Sequence, residues 1–418
     1  MPRTVDHSKG KESMTAIRRE VAVIGGGLVG YSAALGLAKA GFETVLIAPQ
    51  APDDKRSTAL IGSSLDFLAR CGLAEEIERD GEPLRVMRII DDTMRLFRAP
   101  NIEFHASEID RDAFGTNILN SDLMRILRKA TEALLDRLTV MHDTLASIEV
   151  EGEFARLSLA SGAVIRAGLV VGADGRKSRV RETAGISMRS WSYPQSAIVL
   201  NFAHQRDHDG ISTEFHTRMG PFTQVPLPGR RSSLVWVEQP ETAELILSAR
   251  PERLSRMIED KMHSILGAVE VEGEAQSFPL SGATAQKFGA ERRVLVGEAA
   301  HVFPPIGAQG LNLGLRDVVE LIKTAERHRD DLGGSRMIAD YDRARGADIA
   351  TRTAAVDLLN RSLLSGFLPV QWARSAGVGL LARVPLLRRT VMREGVEPGS
   401  SFRLPLPFER RRDRSRTV

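Results

Sequence analysis

Three glycines spaced as Gly25, Gly27 and Gly30 directly follow the apolar run Val21-Ala-Val-Ile24. They open a segment of helix-forming composition, Leu28 to Ala40, which Gly41 stops. Such a turn can hold an anion: the first glycine allows the tight bend, the second lets a pyrophosphate come close, and the third packs helix on strand. The phosphates then meet unsatisfied N–H groups and the positive end of the helix dipole. A second chemistry-bearing stretch lies far downstream, from Val294 to Asp317. It reads as a buried strand, a Gly/Pro-rich turn and a helix starting near Gln309. Glu298 at the strand end could accept from the hydroxyls of a polyol. A helix opening at Gly310-Leu311-Asn312 would aim free N–H groups at an atom that becomes anionic, and the N1/O2 edge of a reduced flavin is such an atom.

One expected group is missing. The acid that usually closes the second strand of a dinucleotide fold and binds the ribose hydroxyls would fall at Ala48, which cannot do so. Gln50, Asp53, Asp54, or backbone and water are the alternatives, and no Arg stands there to read a 2′-phosphate.

The elements that must position these groups can be read from pattern. Thr44-Val-Leu-Ile47 gives a second strand and completes a βαβ unit. Ser64 to Arg79 and Ser121 to Leu135 have helical composition, the latter capped by Asn120 or Ser121. Ser147 to Val150 and Ala155 to Leu159 make a hairpin. The run Gly168-Leu-Val-Val-Gly172 ends in Ala173-Asp174-Gly175, after which Lys177 to Ala184 can be a helix. From Ser196 the chain changes character, with antiparallel strands at 197–200, 211–216, 222–227 and 233–237, then helix from Pro240 to Leu266 broken near Pro251. It returns to the first lobe at Arg293, and beyond Leu311 it has helical character up to Pro405 and Pro407.

Composition sets the limits. At 418 residues the chain exceeds the size of one ordinary core, so two lobes are expected. A net charge of +3, from 57 basic and 54 acidic residues, argues against a nucleic-acid binder; the excess is local, in Arg410, Arg411, Arg412, Arg414 and Arg416. A single cysteine, Cys71, excludes an intramolecular disulfide and a cysteine zinc site, and suits a reducing cytoplasm. His301 has no Cys or His at ligand spacing and is expected to pack or cap, so no metal site is expected. No apolar run is long enough to span a bilayer, and a polar, basic start is expected to be disordered over 1–18.

Taken together, Gly25-x-Gly27-x-x-Gly30, Gly172-Ala-Asp174-Gly175 with Ser178 and Arg181, and Gly297-Glu298 through Asp317 resemble the FAD-dependent aromatic hydroxylases of para-hydroxybenzoate hydroxylase fold. Within them, Pro305-Ile-Gly-Ala-Gln309-Gly310-Leu-Asn312-Leu-Gly314-Leu-Arg316-Asp317 is most similar to the ubiquinone-biosynthesis hydroxylases. So are Arg56-Ser-Thr-Ala-Leu60, Asn120, Gly220-Pro-Phe, and Tyr341 with Arg345 and Asp348.

The resemblance implies an α/β fold: a discontinuous Rossmann-like FAD domain (19–80, 105–188, 285–350), a mixed-sheet substrate domain (81–104, 189–284), a helical C-terminal region (351–400) and a basic tail (401–418). It implies that Gly25, Gly27 and Gly30 hold the FAD pyrophosphate and that Arg56 and Asn120 lie along its phosphate–ribityl–flavin part. Asp174 and Gly175 would serve near FAD and a transient NAD(P)H. Glu298 stands where the family has a ribityl-binding Asp, and Pro305, Gly310, Leu311 and Asn312 would flank the flavin ring. The implied activity is NAD(P)H- and O2-dependent hydroxylation of a polyprenyl-phenol in ubiquinone biosynthesis. Hydroxylation of a soluble aromatic, or a non-catalytic FAD-binding accessory role, is the alternative. No phenol base can be named: His216, Tyr193 and Gln195 are nearest, and each reads as a structural residue. The apolar residues between Leu358 and Leu387, with Arg374, Arg383, Arg388 and Arg389 among them, point either to a helical cover or to contact with the inner face of a membrane or a biosynthetic complex.

Overall fold

The computed structural model describes residues 16–49, 54–94, 100–304, 309–364 and 384–396. Pro305, Gln50, Asp53, the arginine tail, the first fifteen residues and most of the Leu358–Leu387 apolar stretch lie outside these residues.

β-Branched runs with no polar alternation belong in a parallel sheet covered on both faces. The first strand, Ile17–Ile24, obeys this: Val21 to Ile24 are almost wholly buried. It lies parallel to Val164–Gly172 on one side and to Thr44–Ile47 on the other, and Leu138–Met141 extends the sheet beyond Thr44–Ile47. Arg293–Leu295, from the far end of the chain, joins parallel to Val164–Gly172. The register puts Ile24 beside Gly172, Gly172 beside Leu295, and Ile24 beside Ile47. Four strands therefore end at one edge and the loops after them gather there, the place where open α/β sheets bind ligands. The hairpin Leu145–Glu151/Phe154–Leu159 pairs onto this sheet through Phe154–Leu159.

A second eight-stranded sheet runs in the order His301–Val302, Val269–Ala285, Met188–His204, Arg231–Glu238, Pro221–Leu227, Ile211–His216, Val86–Asp91, Ile102–His105. All its pairings are antiparallel except Ile211–His216 with Val86–Asp91, so the sheet is mixed. One face, carrying Phe202, Phe215, Phe222 and Trp236, packs on helices Pro240–Leu247 and Pro251–Lys261. A small sheet of Ser57–Ile61, Gly115–Leu119 and Glu82–Leu84 lies beside it, tied by Asn117 Nδ2 donating to Pro226 O (2.8 Å). Helices Gln309–Arg327, Ser335–Leu364 and Pro385–Val396 close the chain.

Three expectations change. Ser64 to Arg79 is two helices, Ser63–Arg70 and Ala74–Asp80, because Gly72 takes a left-handed φ of +79° between them. The helix expected to be capped by Asn120 or Ser121 begins at Asn120, with Leu119 at the cap position and no side-chain cap. The strand expected at 197–200 runs over Met188–His204, and Val269–Ala285, where no strand was expected, is a second strand of 17 residues that pairs with it through two register shifts.

Candidate functional site

The glycine turn separates into two kinds of demand. Gly25 has φ +126°, and a Cβ there would lie 2.2 Å from Ala173 O; one on Gly30 would lie 1.9 Å from Gly25 O. Both glycines are required by the chain itself. At Gly27 a Cβ would meet nothing within 4 Å. Gly27 is the N-cap of helix Leu28–Lys39 and offers no side-chain cap, so no side chain satisfies the first N–H groups of that helix. At the second strand end Ala48 is buried, its N–H donating to Met141 O (2.9 Å).

Arg56, which lies within the electrostatic reach of Glu298, is forked onto Asp54, with Nε and Nη2 donating at 2.8 and 2.7 Å. Asn120 Nδ2 donates to the same carboxylate (2.9 Å) while its Oδ1 accepts from Thr58 Oγ1 (2.6 Å). These bonds explain why Asn120 is no cap: both ends of its amide are spent sideways. Burial would raise the Asp54 carboxyl, but Arg56 and Asn120 outweigh it and leave it lowered. Asp54 is thus committed to Arg56, which removes it from the alternatives to the missing ribose acid. The Arg56 guanidinium is half exposed and lies 5.5 Å from the Phe278 ring centroid.

At the next strand end, Asp174 Oδ2 accepts from Val180 N (3.2 Å), whereas Oδ1 is buried with no partner among the described residues. Gly175 has φ +77° and open space where a Cβ would stand. Ser178 caps the short helix Arg179–Thr183 by accepting from Arg181 N (3.0 Å). Arg181 ties this loop to the Glu298 turn, donating to Ala299 O (3.0 Å) and to Arg176 O (2.9 Å). Glu298 itself is half exposed and 3.4 Å from Arg176.

Under the Glu298 turn lies a buried network whose members the sequence shows only separately. Asp317, wholly buried, accepts from Gly297 N (2.8 Å), His301 Nε2 (2.7 Å) and Arg345 Nε (2.7 Å). Arg345 Nη1 reaches Asp348 (2.7 Å), which also takes Arg316 (2.8 Å). Burial pushes the Asp317 carboxyl up, yet His301 and Arg345 dominate and hold it lowered. His301 is therefore a packed, bonded histidine, as expected. Gly314 is demanded by helix packing, since a Cβ would meet Val29 Cγ2 at 2.7 Å.

At the head of helix Gln309–Arg327, a Cβ on Gly310 would meet nothing within 4 Å. Leu311 packs partly against the core. Asn312 points back into the protein: Oδ1 accepts from Ile61 N (3.1 Å) and Nδ2 donates to Ala59 O (2.7 Å). Its side chain pins the strand Ser57–Ile61 to the helix start, so a ligand there can meet the backbone N–H groups of the first turn. In the second lobe, Trp191 Nε1 donates to Tyr193 Oη (2.8 Å), Gln195 Nε2 donates to Met219 O, and His216 Nε2 bonds Glu214 Oε1 (2.8 Å).

Gly25, Asp174 and Gly297 thus come together at one sheet edge, with Arg56 and Gly310 next to them. Open positions at Gly27, Gly175 and Gly310 and the orphaned Asp174 Oδ1 fit a long ligand with an anionic middle, hydroxyls and a flat ring.

Comparison with known proteins agrees. Residues 18–355 match the family model described as FAD binding domain. The chain is 34% identical over 394 residues to ubiquinone hydroxylase UbiL of Rhodospirillum rubrum, covering 90% of this chain and 89% of that protein. It is 29% identical to 3-demethoxyubiquinol 3-hydroxylase of Escherichia coli, covering 91% and 99%. Among solved structures, p-nitrophenol 4-monooxygenase PnpA of Pseudomonas putida superposes with a TM-score of 0.74 at 18% identity, over 90% of this chain and 97% of that one, a likeness of fold.

Proposed function

The chain belongs to the FAD binding domain family and is an FAD-dependent aromatic monooxygenase, and from that premise we propose that it hydroxylates the ring of a polyprenyl-phenol in ubiquinone biosynthesis, using NAD(P)H and O2. The observation that carries this reading is the sheet edge where the Gly25, Asp174 and Gly297 turns meet, with unfilled Cβ positions at Gly27 and Gly310. The names of the two relatives supply the substrate class.

The residues divide the work by chemistry. The N–H groups at Gly27 and the start of helix Leu28–Lys39 would bind the FAD diphosphate, with the half-exposed Arg56 guanidinium, paired with Asp54, at the side. Asp174, through its unpaired Oδ1, and Glu298 would accept from sugar and ribityl hydroxyls. Glu298 is one methylene longer than the Asp of the family it resembles, and it bonds Arg176 at 3.4 Å. The helix start at Gly310, Leu311 and Asn312 would steady negative charge on the ring of the cofactor. When bound, FAD supplies reduction by NAD(P)H and the activation of O2 to an electrophilic oxygen. The protein's part is to hold the phenol in reach and to exclude water.

The two large sheets support domains of 19–80, 105–188 and 285–350 for FAD and of 81–104 and 189–284 for substrate, except that His301–Val302 of the last FAD segment pairs onto the substrate sheet. Contact with a membrane face or biosynthetic complex is supported by helix Pro385–Val396, which exposes Leu386, Leu387 and Val391 beside arginines. No helix among the described residues is long and apolar enough to cross a membrane.

Quinone profiling of a strain lacking the gene tests the reading. Loss of ubiquinone with accumulation of a precursor short of one ring oxygen is expected, and an unchanged ubiquinone pool contradicts it.

A further inference from the structure

The second sheet has one greasy face and one that looks toward the cofactor site, and strand register identifies which residues lie on the latter. Directly paired residues share a face, as do residues two apart on a strand. Asn201 pairs with Ser233, Ser233 with Val225, and Thr223, two residues before Val225, with Glu214. Asn201 Nδ2 donates to Lys55 O (2.9 Å) and Ser233 Oγ accepts from Ser57 Oγ (2.7 Å), so this face is turned to the segment that carries Arg56. Glu214, His216 and Thr223 therefore lie on the cofactor side, while Phe215, Phe222 and Trp236 lie on the helix-covered side.

On that side the three polar residues bond one another. His216 Nε2 is 2.8 Å from Glu214 Oε1, and Thr223 Oγ1 donates to Glu214 Oε2 (3.3 Å). A carboxylate can only accept, so Nε2 carries a proton, and in the neutral imidazole Nδ1 then presents a lone pair. Nδ1 has no hydrogen-bond partner among the described residues. The other buried histidines of this lobe differ: His204 and His208 are each bonded through both ring nitrogens. Burial would raise the Glu214 carboxyl, but His216 and Thr223 outweigh it and leave it lowered, which suits a carboxylate that orients an imidazole.

Among the described residues few other charged groups face His216. Asp91 pairs with it across the strand, is buried, and accepts from Thr93 N and Oγ1 (3.1 and 2.6 Å). On strand Pro221–Leu227 the neighbours are Pro221 and Thr223, and Arg218 beyond the strand end donates to Thr93 O (2.8 Å). Next to the polar trio, Val235 pairs with Thr223 and begins an apolar patch with Val237, Ala197, Leu280 and Tyr193. An apolar wall with one convergent acceptor suits a phenol.

Resting on the hydroxylase reading above, we propose that His216 is the proton acceptor for the phenolic hydroxyl of the substrate, with Glu214 as the positioning residue that holds its ring and tautomer. The phenolic O–H bond breaks, its electron pair stays on oxygen and enriches the ring, and the proton moves to Nδ1. The imidazolium so formed sits against the Glu214 carboxylate and returns the proton to the oxygen of the hydroxylated product.

The test uses FAD-loaded enzyme with two probes, an ortho-prenylated phenol bearing one isoprene unit and its more acidic ring-fluorinated analogue. His216→Gln should retain FAD and lower hydroxylation of the plain phenol at neutral pH by about 10²- to 10⁴-fold, the usual weight of a positioned base. The fluorinated phenol should recover most of that loss, and the ultraviolet signature of bound phenolate seen with wild type should vanish for the plain phenol. Glu214→Gln should move the rising limb of the pH profile. A His216→Gln enzyme with wild-type rates and pH profile on both phenols overturns the proposal. If that variant loses FAD, an unmoved profile in Glu214→Gln overturns it equally. A wild-type enzyme that hydroxylates neither phenol overturns instead the reading on which the proposal rests.

Discussion

Gly27 and Gly30 stand three residues apart, yet they answer to different constraints. A side chain at Gly30 collides with Gly25 O at 1.9 Å, whereas one at Gly27 meets no protein atom within 4 Å. Gly30→Val is therefore expected to lose both fold and flavin. Gly27→Val should keep the melting temperature of the flavin-free wild type and lose stoichiometric FAD, measured by absorbance after gel filtration. At Asp317 the charge is the issue. Its folded-state carboxyl lies below the ordinary value of 3.8, so its pairing contributes fully above that range and is lost as pH falls below it toward the lowered value. Stability should drop in acid below about pH 4, and Asp317→Asn should flatten that dependence while costing about 3–5 kcal/mol at neutral pH, because Arg345 is left uncompensated. Urea titrations at several pH values read both effects. At this scale Asp174-Gly175 entered only through the resemblance, while the packing demands at Gly25 and Gly30 were legible, since they follow from residue type and local spacing. Asn120 and the Asp317 network were not, because their partners, Asp54 and Arg345, lie 66 and 28 residues away.

Among the elements, helix Pro385–Val396 shows how a late segment is held. Arg388 donates to both oxygens of Glu108 (2.6 Å each) and lies over the Phe104 ring, while Met392 and Val396 enter a small core with Ile109 and Phe114. Val396 O lies where a Cβ of Gly62 would come within 1.8 Å, so the helix abuts the turn after strand Ser57–Ile61. Arg388→Ala should weaken this docking by about 1.5–3 kcal/mol, the range for hydrogen bonds to charged groups. Faster limited proteolysis near residue 384 with the rest of the chain intact would show it. Short strands and Pro-started helices such as Ile211–His216 and Pro240–Leu247 were readable because periodicity and helix starts are local. The strand Val269–Ala285 was not, since Gly273, Pro279 and Gly282 interrupt its pattern and its irregular pairing with Met188–His204 decides it.

For the whole molecule, the site is assembled from strands more than two hundred residues apart, and FAD would bridge the turns after three of them. Binding only to the folded chain stabilises it by mass action, about 2.7 kcal/mol at a free ligand concentration one hundred times Kd. Added FAD should raise the melting temperature of wild type in a concentration-dependent way and leave Gly27→Val unmoved. That two ends of the chain share one site was legible as a resemblance between motifs. Their adjacency was not, because it is set by the parallel register of Ile17–Ile24, Val164–Gly172 and Arg293–Leu295. The most direct measurement of the central claim uses FAD-loaded enzyme supplied with NAD(P)H, a prenylated phenol and isotopically labelled O2. One labelled oxygen on the ring, with NAD(P)H consumed in proportion to product, is the predicted result. Unlabelled or unmodified phenol from an enzyme that holds its flavin and oxidises NAD(P)H would contradict it.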